Sequence, residues 1–338
     1  MASGAGGVSL HRLFGYADLQ ASLSRAWATE SLPASLLIHG PRGVGKQRLA
    51  LWLGQLLLCP ESGPTGPCGD CKACRMAMNL EHPDLHWYFP LAKPRGVRPG
   101  KLAEALEKAR YDTLTERREH PLQPASAATE AIGLYLAVAQ TMRSHAHTRP
   151  AVGLRQVFVI GDAETLVPQE SSQEAANALL KLLEEPPAST LLILTSSEPG
   201  RLLPTIRSRT MPLHLPALAP DRVEQFLVEV GKVPRDDARR AAHLGRGSIG
   251  RALGFLPNEG EPGPLEVLRA QAFELLTAES DTDAGAVYRK SLEFAATRSR
   301  GLMPLFELLE DALRDLSATG AVASGALINS DREDLLER

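Results

Sequence analysis

The chain has 338 residues, is 43% hydrophobic and 23% charged, and carries a formal net charge of −3. This is the make-up of a soluble globular protein with room for two or three domains. So weak a charge excludes a global basic field drawing the chain to nucleic acid, and no apolar run reaches the ~18 residues that would mark a membrane span.

Met1 to Ser9 is small and Gly-rich, with no cationic start before an apolar stretch. It reads as a frayed tail rather than a secretion signal, and the chain is expected to be cytoplasmic. Residues 10 to 30 hold a helix, with Leu19, Leu23 and Trp27 at i, i+4, i+8. Ser35 to His39 is a short apolar strand entering a Gly-rich turn, and Arg48 to Leu58 is the helix beyond it, striped by Leu49, Leu53, Leu56 and Leu57. Residues 90 to 130 lack strong periodicity and read as an exposed insertion with one helix near Lys101 to Ala109. A helix is predicted over Ile132 to His145 and a buried strand over Val157 to Ile160. A further helix runs from Ser171 to Glu185, with Ala176, Leu179, Leu180 and Leu183 on one face and Pro186-Pro187 ending it. Leu191 to Thr195 is another buried strand. Strands alternating with helices imply an α/β fold with a parallel sheet covered on both faces. Residues 220 to 256 read as three short helices. A Gly/Pro-rich linker follows over Pro257 to Pro264, and 265–338 is helical, with a stripe through Leu302, Leu305, Leu308, Leu309, Leu313 and Leu316.

Three motifs carry chemistry. Gly40-Pro41-Arg42-Gly43-Val44-Gly45-Lys46-Gln47 lies between strand and helix, the setting of a phosphate-binding loop. Backbone N–H groups around Gly40, Gly43 and Gly45 would cradle phosphate, and Lys46 would neutralise it. Gln47, however, stands where such loops carry the Ser or Thr hydroxyl that holds Mg²⁺. Cys59, Cys68, Cys71 and Cys74 are the only cysteines. Their spacing suits a closed, structural Zn²⁺ site, with Pro67, Gly69 and Asp70 supplying the turns. Arg209, after Ser208, can serve as an arginine finger offered to a phosphate in an adjoining subunit.

The run Asn177 to Pro187, then Leu191 to Ser197, Glu198-Pro199 and Thr205-Ile206-Arg207-Ser208-Arg209 closely resembles the bacterial clamp loader subunits of the AAA+ class. The four-Cys knob after the loop helix is also typical of them. The resemblance is strong over 35–215, moderate over 216–256 and weak beyond. It implies an AAA+ P-loop domain over 1–216, with the zinc knob at 59–74 and the insertion at 90–130. It also implies a three-helix lid over 217–257 and a helical collar over 265–338 for association in a ring. Within that class, gamma/tau subunits hydrolyse ATP, and the delta-prime type generally does not. Gln47, Gly161 in place of the first acid before Asp162, and Gly250 in place of a third-helix Arg all point to the non-hydrolysing type. Arg251, one position along and ~100° round the helix, would face elsewhere. The resemblance thus implies a subunit of the polymerase holoenzyme with no ATPase of its own and ATP binding unlikely. Arg209 would complete a gamma/tau site in trans. The partners implied are gamma/tau, delta, the sliding clamp and, through the complex, primer-template DNA, with no membrane. Two alternatives are a hydrolysis-competent gamma/tau-like ATPase and a zinc-bearing nucleic-acid binding protein outside replication. The second fits poorly, because only Lys72 and Arg75 are basic near the knob.

Overall fold

The computed structural model describes residues 13–123, 132–166, 174–258, 260–279, 302–320 and 327–332. The expected tail Met1 to Ser9, the start of the helix from Ser171 and parts of the expected collar lie outside the described residues. The chain divides into two compact units, before and after residue 218.

The first unit opens with α1 (Ala17–Ala28), β1 (Ser35–His39), α2 (Lys46–Leu58) and α3 (Lys72–Met78). Next come β2 (Leu85–Tyr88), β3 (Leu91–Ala92), α4 (Leu102–Glu119), β4 (Ile132–Gly133) and α5 (Leu136–Ala146). β5 (Gln156–Ile160), α6 (Glu174–Glu184), β6 (Thr190–Ser196), α7 (Pro204–Arg207) and β7 (Met211–His214) complete it. Five strands form a parallel sheet in the order β2-β5-β6-β1-β7. β5 and β6 are buried along their whole length, as expected for continuous apolar runs with both sheet faces covered. This is the expected α/β P-loop framework. β1 lies between β6 and β7, so the loop leaving it emerges inside the sheet's carboxyl edge, where parallel sheets hold their ligands. Helix α2 is buried at eleven of its positions from Lys46 to Leu58.

Three expectations are corrected. The helix in the insertion is α4, eighteen residues long rather than the stretch near Lys101 to Ala109. Helix α5 starts at Leu136 rather than Ile132, because Ile132 and Gly133 pair with Ala92 and Leu91 in a small antiparallel ladder. The insertion is not merely exposed: α4 buries Leu106 and lays Arg110 over the Tyr88 ring and Arg117 over the Trp87 and Phe89 rings. Leu106, Arg110 and Arg117 fall on one helical face by their spacing.

The second unit contains the three expected short helices, α8 (Pro220–Glu229), α9 (Arg235–Leu244) and α10 (Ile249–Gly254), then α11 (Pro264–Glu279) and α12 (Leu302–Gly320). Leu305, Leu308 and Ala312 of α12 pack into apolar clusters with α11, while Leu313, expected in the same stripe, is exposed. The segment 327–332 is fastened to both helices by charge. Arg269 of α11, 1% exposed, donates to Asn329 Oδ1 at 2.7 Å and to Asp331 Oδ2 at 3.0 Å. The Asp315 carboxylate accepts the Ile328 and Asn329 N–H groups at 2.8 and 2.7 Å.

Candidate functional site

The Gly-rich loop follows β1. Gly40 is there of necessity: a Cβ would lie 2.1 Å from the Leu215 carbonyl oxygen, and φ is +152°. Leu215 donates to the His39 carbonyl at 2.8 Å, so the chain beyond β7 crosses directly over the loop's entrance. Gly45, at φ +105° in the left-handed region, turns the chain into α2 without a side-chain cap. The start of α2 therefore has the backbone geometry at which helices receive an anion. Lys46 is buried, and its three donors are all engaged within the chain. Nζ donates to Gly40 O at 3.0 Å, Pro41 O at 2.8 Å and Ser197 Oγ at 2.8 Å. Burial lowers the Lys46 pKa, while Asp162 and Glu164 pull it back up. Ser197 is held in turn by its N–H to Glu164 Oε1 at 3.0 Å.

The metal position beside the loop is filled. Gln47 Nε2 donates to Asp162 Oδ2 at 3.1 Å, and Gln47 Oε1 accepts from Trp87 Nε1 at 3.2 Å. A Cβ at Gly161 would lie 2.8 Å from the Gln47 amide carbon, so the missing acid makes the space that the glutamine fills. Asp162 sits at φ 47° with its N–H on Thr195 Oγ1 at 3.1 Å. Its pKa is raised, by burial first and by Glu164 next, against the pull of Lys46, Arg42 and Arg117. Mg²⁺ wants near-octahedral oxygen ligands at ~2.1 Å. Here the hydroxyl is an amide, one acid is absent and the other is hydrogen-bonded to that amide. These residues do not fit the metal. The two departures at 47 and 161 meet in space, the amide of one lying where a side chain at the other would stand.

The opposite end of α2 is different. Cys59 caps its C-terminus, and Cys71 caps the N-terminus of α3, its sulfur accepting the Cys74 N–H. The Sγ atoms of Cys59, Cys68, Cys71 and Cys74 all lie within 4.8 Å of one another. Cys59 to Cys68 is 3.6 Å, and both Cys59 to Cys71 and Cys68 to Cys74 are 3.9 Å. A tetrahedral ion with sulfur at ~2.3 Å has sulfur–sulfur edges of ~3.8 Å, so the four thiols fit one metal ion. Backbone N–H groups of Cys68 and Cys71 point at the sulfurs of Cys59 and Cys68, at 3.5 and 3.4 Å, which would favour thiolate.

Arg209 follows α7 at the surface. Its guanidinium is bound at home, 3.0 Å from Glu184 Oε1 at the end of α6 and 3.1 Å from the Thr205 carbonyl. Arg207 to Arg209 thus leave α7 in a tight turn, with the Ser208 hydroxyl returned to Thr205 O at 3.1 Å. In the second unit, Ser248 caps α10 and Gly250 carries no side chain to offer. Arg251 is turned to α12, 2.6 Å from Asp311 and 3.4 Å from Glu307.

Four residues of the site escaped the sequence: Trp87, Arg117, Glu164 and Ser197. The aromatic run His86-Trp87-Tyr88-Phe89 is a legible signal for β2. Arg117 had none, sitting in a charged run that looks solvated.

The family model described as DNA polymerase III, delta subunit matches residues 16–219. DNA polymerase III subunit delta' of Pseudomonas aeruginosa is 33% identical over 173 residues, covering 51% of this chain and 40% of that protein. The delta' subunit of Escherichia coli is 28% identical over 242 residues, 71% of this chain and 60% of that protein. DNA polymerase III subunit gamma/tau of Mycobacterium bovis is 26% identical over 328 residues, 95% of this chain and 45% of that protein. The chain spans about half the length of the curated relatives it matches. Among solved structures, a gamma subunit-related protein of Thermotoga maritima is 17% identical over 86% of this chain and 77% of that one. Its TM-score of 0.37 is too low to carry weight. With a P-loop framework whose metal position is closed and a family match over residues 16–219, the chain belongs to the DNA polymerase III delta-subunit family.

Proposed function

We propose that this chain is a non-hydrolysing, delta-prime-type subunit of the DNA polymerase III clamp loader, a cytoplasmic hetero-oligomer that places the sliding clamp on primed DNA. The observation that carries the reading is the Gln47 amide seated between Asp162 and Trp87, against Gly161. It removes the metal chemistry that phosphoryl transfer requires while leaving the sheet intact. Residues 217–257 serve as lid and 265–338 as collar, the collar joining gamma/tau and delta. The four cysteines hold a structural Zn²⁺. The long match to a gamma/tau protein favours a second reading, an ATPase of that type. The Gln47 amide packed against Gly161 and bonded to Asp162 speaks against it.

Arg209 acts in trans. It lies on the surface beside Glu184, and its fork has more donors than that one carboxylate uses. A neighbour's γ-phosphate, more highly charged than Glu184, would draw it across. The test is reconstitution with gamma/tau, delta, clamp and primed DNA. Arg209→Ala leaves folding, metal content and assembly unchanged and lowers clamp-stimulated ATP turnover about tenfold or more at the affected site. Arg209→Lys rescues poorly, since a point charge does not reproduce the fork. The pure chain turns over no ATP above background, and Gln47→Thr alone restores none. Wild-type turnover by the Arg209→Ala complex removes the trans role, and robust hydrolysis by the pure chain removes the delta-prime assignment.

A further inference from the structure

Two groups from different elements hold the Arg209 guanidinium. Nη1 donates to the Thr205 carbonyl at 3.1 Å, within the turn that follows α7, and Nη2 lies 3.0 Å from Glu184 Oε1. The first contact is local. The second ties that turn to the end of α6. Glu184 is an odd residue for its place. It is the last residue of α6, where a carboxylate meets the negative end of the helix dipole, and Glu185 follows it directly. Lys181 stands one turn back and is the cation that helix spacing offers Glu184. The ion pair formed is nevertheless with Arg209. Both partners stay open to solvent, the arginine side chain at 36% and the acid at 47%. An ion pair so placed is screened, and it biases an equilibrium by no more than about fivefold. It keeps the guanidinium in one place without sealing it there.

We infer that Glu184 is a rest position for Arg209: the end of α6 keeps the guanidinium on its own chain until a neighbour's terminal phosphate comes within reach and displaces the carboxylate. Glu184 is thus a positioning residue that acts through Arg209 and restrains trans turnover when the subunits are not closed on one another. The inference rests on the trans role proposed above. Its physical basis is a competition between two anions for one fork. A terminal phosphate carries more charge and more acceptor oxygens than a carboxylate, so it wins at equal distance. Glu184 wins while the phosphate is farther away, because its own contact is already made. The weakness of the home pair suits this use. A buried pair would hold the arginine too firmly to be displaced, and no pair at all would leave it unrestrained. Lys181 is placed to compensate Glu184 once Arg209 has crossed.

The test is steady-state ATP turnover by the complex reconstituted with gamma/tau and delta, measured without and with sliding clamp and primed DNA. Glu184→Gln keeps the shape of the side chain and removes its charge. It is expected to raise turnover without clamp and DNA by about two- to fivefold at the affected site, the range an exposed ion pair spans. Turnover with clamp and DNA should stay at the wild-type level, because Arg209 has then already left Glu184. In an Arg209→Ala background, Glu184→Gln should change nothing, since the two residues act as one unit. The free Glu184→Gln chain should melt within about 2 °C of wild type, as loss of an exposed pair predicts. Three results overturn the rest position while leaving the trans role standing, provided Arg209→Ala alone is still defective. They are unchanged turnover in Glu184→Gln without clamp and DNA, a fall in that turnover, and an equal rise when Arg209 is already alanine. Wild-type turnover by the Arg209→Ala complex removes the trans role itself, and the rest position with it.

Discussion

The two ends of α2 present opposite answers to one problem. At its N-terminus, Gln47, Asp162 and Trp87 satisfy one another, and no ligand set is left for an ion. At its C-terminus, four sulfurs converge within 4.8 Å, with one another and several N–H groups as partners. One end is closed by side chains that fill it. The other offers four thiols at the spacing of one tetrahedral ion. A thirteen-residue helix, buried along nearly its whole length, connects the two. The lesson is that a motif's departure from its pattern is best judged by whether the departing residue has found partners. Gln47 has found three, in Asp162, Trp87 and the space at Gly161.

The sharpest way to break this comparison is at the thiol end. Cys71→Ala is expected to abolish metal retention, lowering stoichiometry from about one zinc per chain to none by elemental analysis. Far-ultraviolet circular dichroism should show the sheet still folded. A wild-type preparation free of metal would leave both ends of α2 without an ion and dissolve the contrast. The next effect belongs to the filled end. Gly161→Asp pushes a side chain into the Gln47 amide and breaks its two hydrogen bonds, costing about 2–3 kcal/mol in denaturant melts. Adding Gln47→Thr should recover most of that loss by emptying the space. Equal costs with Gln47 or Thr at position 47 would show that the two sites are not exchanged as a pair.

The smallest effect lies on the neighbouring strand and supplies a control, a carboxylate satisfied by backbone alone. Asp84, at the head of β2, accepts the N–H groups of Ala151, Val152 and Gly153 at 2.5, 2.9 and 2.9 Å. Burial would raise its pKa, but these N–H groups outweigh it and hold the carboxyl below its ordinary range. A depressed folded-state pKa means stability that is present above the unfolded-state value of ~3.9 and is lost as pH falls through the folded one. Asp84→Asn should cost about 1–2 kcal/mol at neutral pH. It should also flatten the fall in stability of the first unit below about pH 4. An acid limb of unchanged steepness would assign the titration to other carboxylates.

Much of this molecule is legible in its sequence, for reasons that can be named. β1, β5 and β6 are central strands, and burial on both faces requires unbroken apolar runs. α6 and the three helices after residue 218 show a clear apolar face. The Gly-rich loop and the four cysteines are local in sequence, so their chemistry shows in spacing alone. β7 was hidden because it is an edge strand, largely exposed and containing Pro212, which an edge tolerates. β4 was hidden because two residues paired with β3 have no periodicity to read. Helix α4 and Arg117 were hidden for a deeper reason. A charged run of Arg117-Arg118-Glu119 looks solvated until the aromatic floor beneath it, thirty residues earlier in the chain, is known.

The clamp on residues 327–332 carries a practical consequence for anyone who trims this protein. Arg269 is 1% exposed, and three of its acceptors, Asn329 and both oxygens of Asp331, come from that short segment. Cut the chain just before Leu327, and Arg269 keeps Glu266 as its carboxylate partner but loses the rest, while Asp315 loses the amides of Ile328 and Asn329. Each charge-assisted hydrogen bond lost in this way costs about 1.5–3 kcal/mol, a large share of what a domain has to spare. The boundary of a usable expression fragment is therefore set by an arginine nearly sixty residues upstream, and a short segment that looks dispensable on a map is the latch of an electrostatic lock.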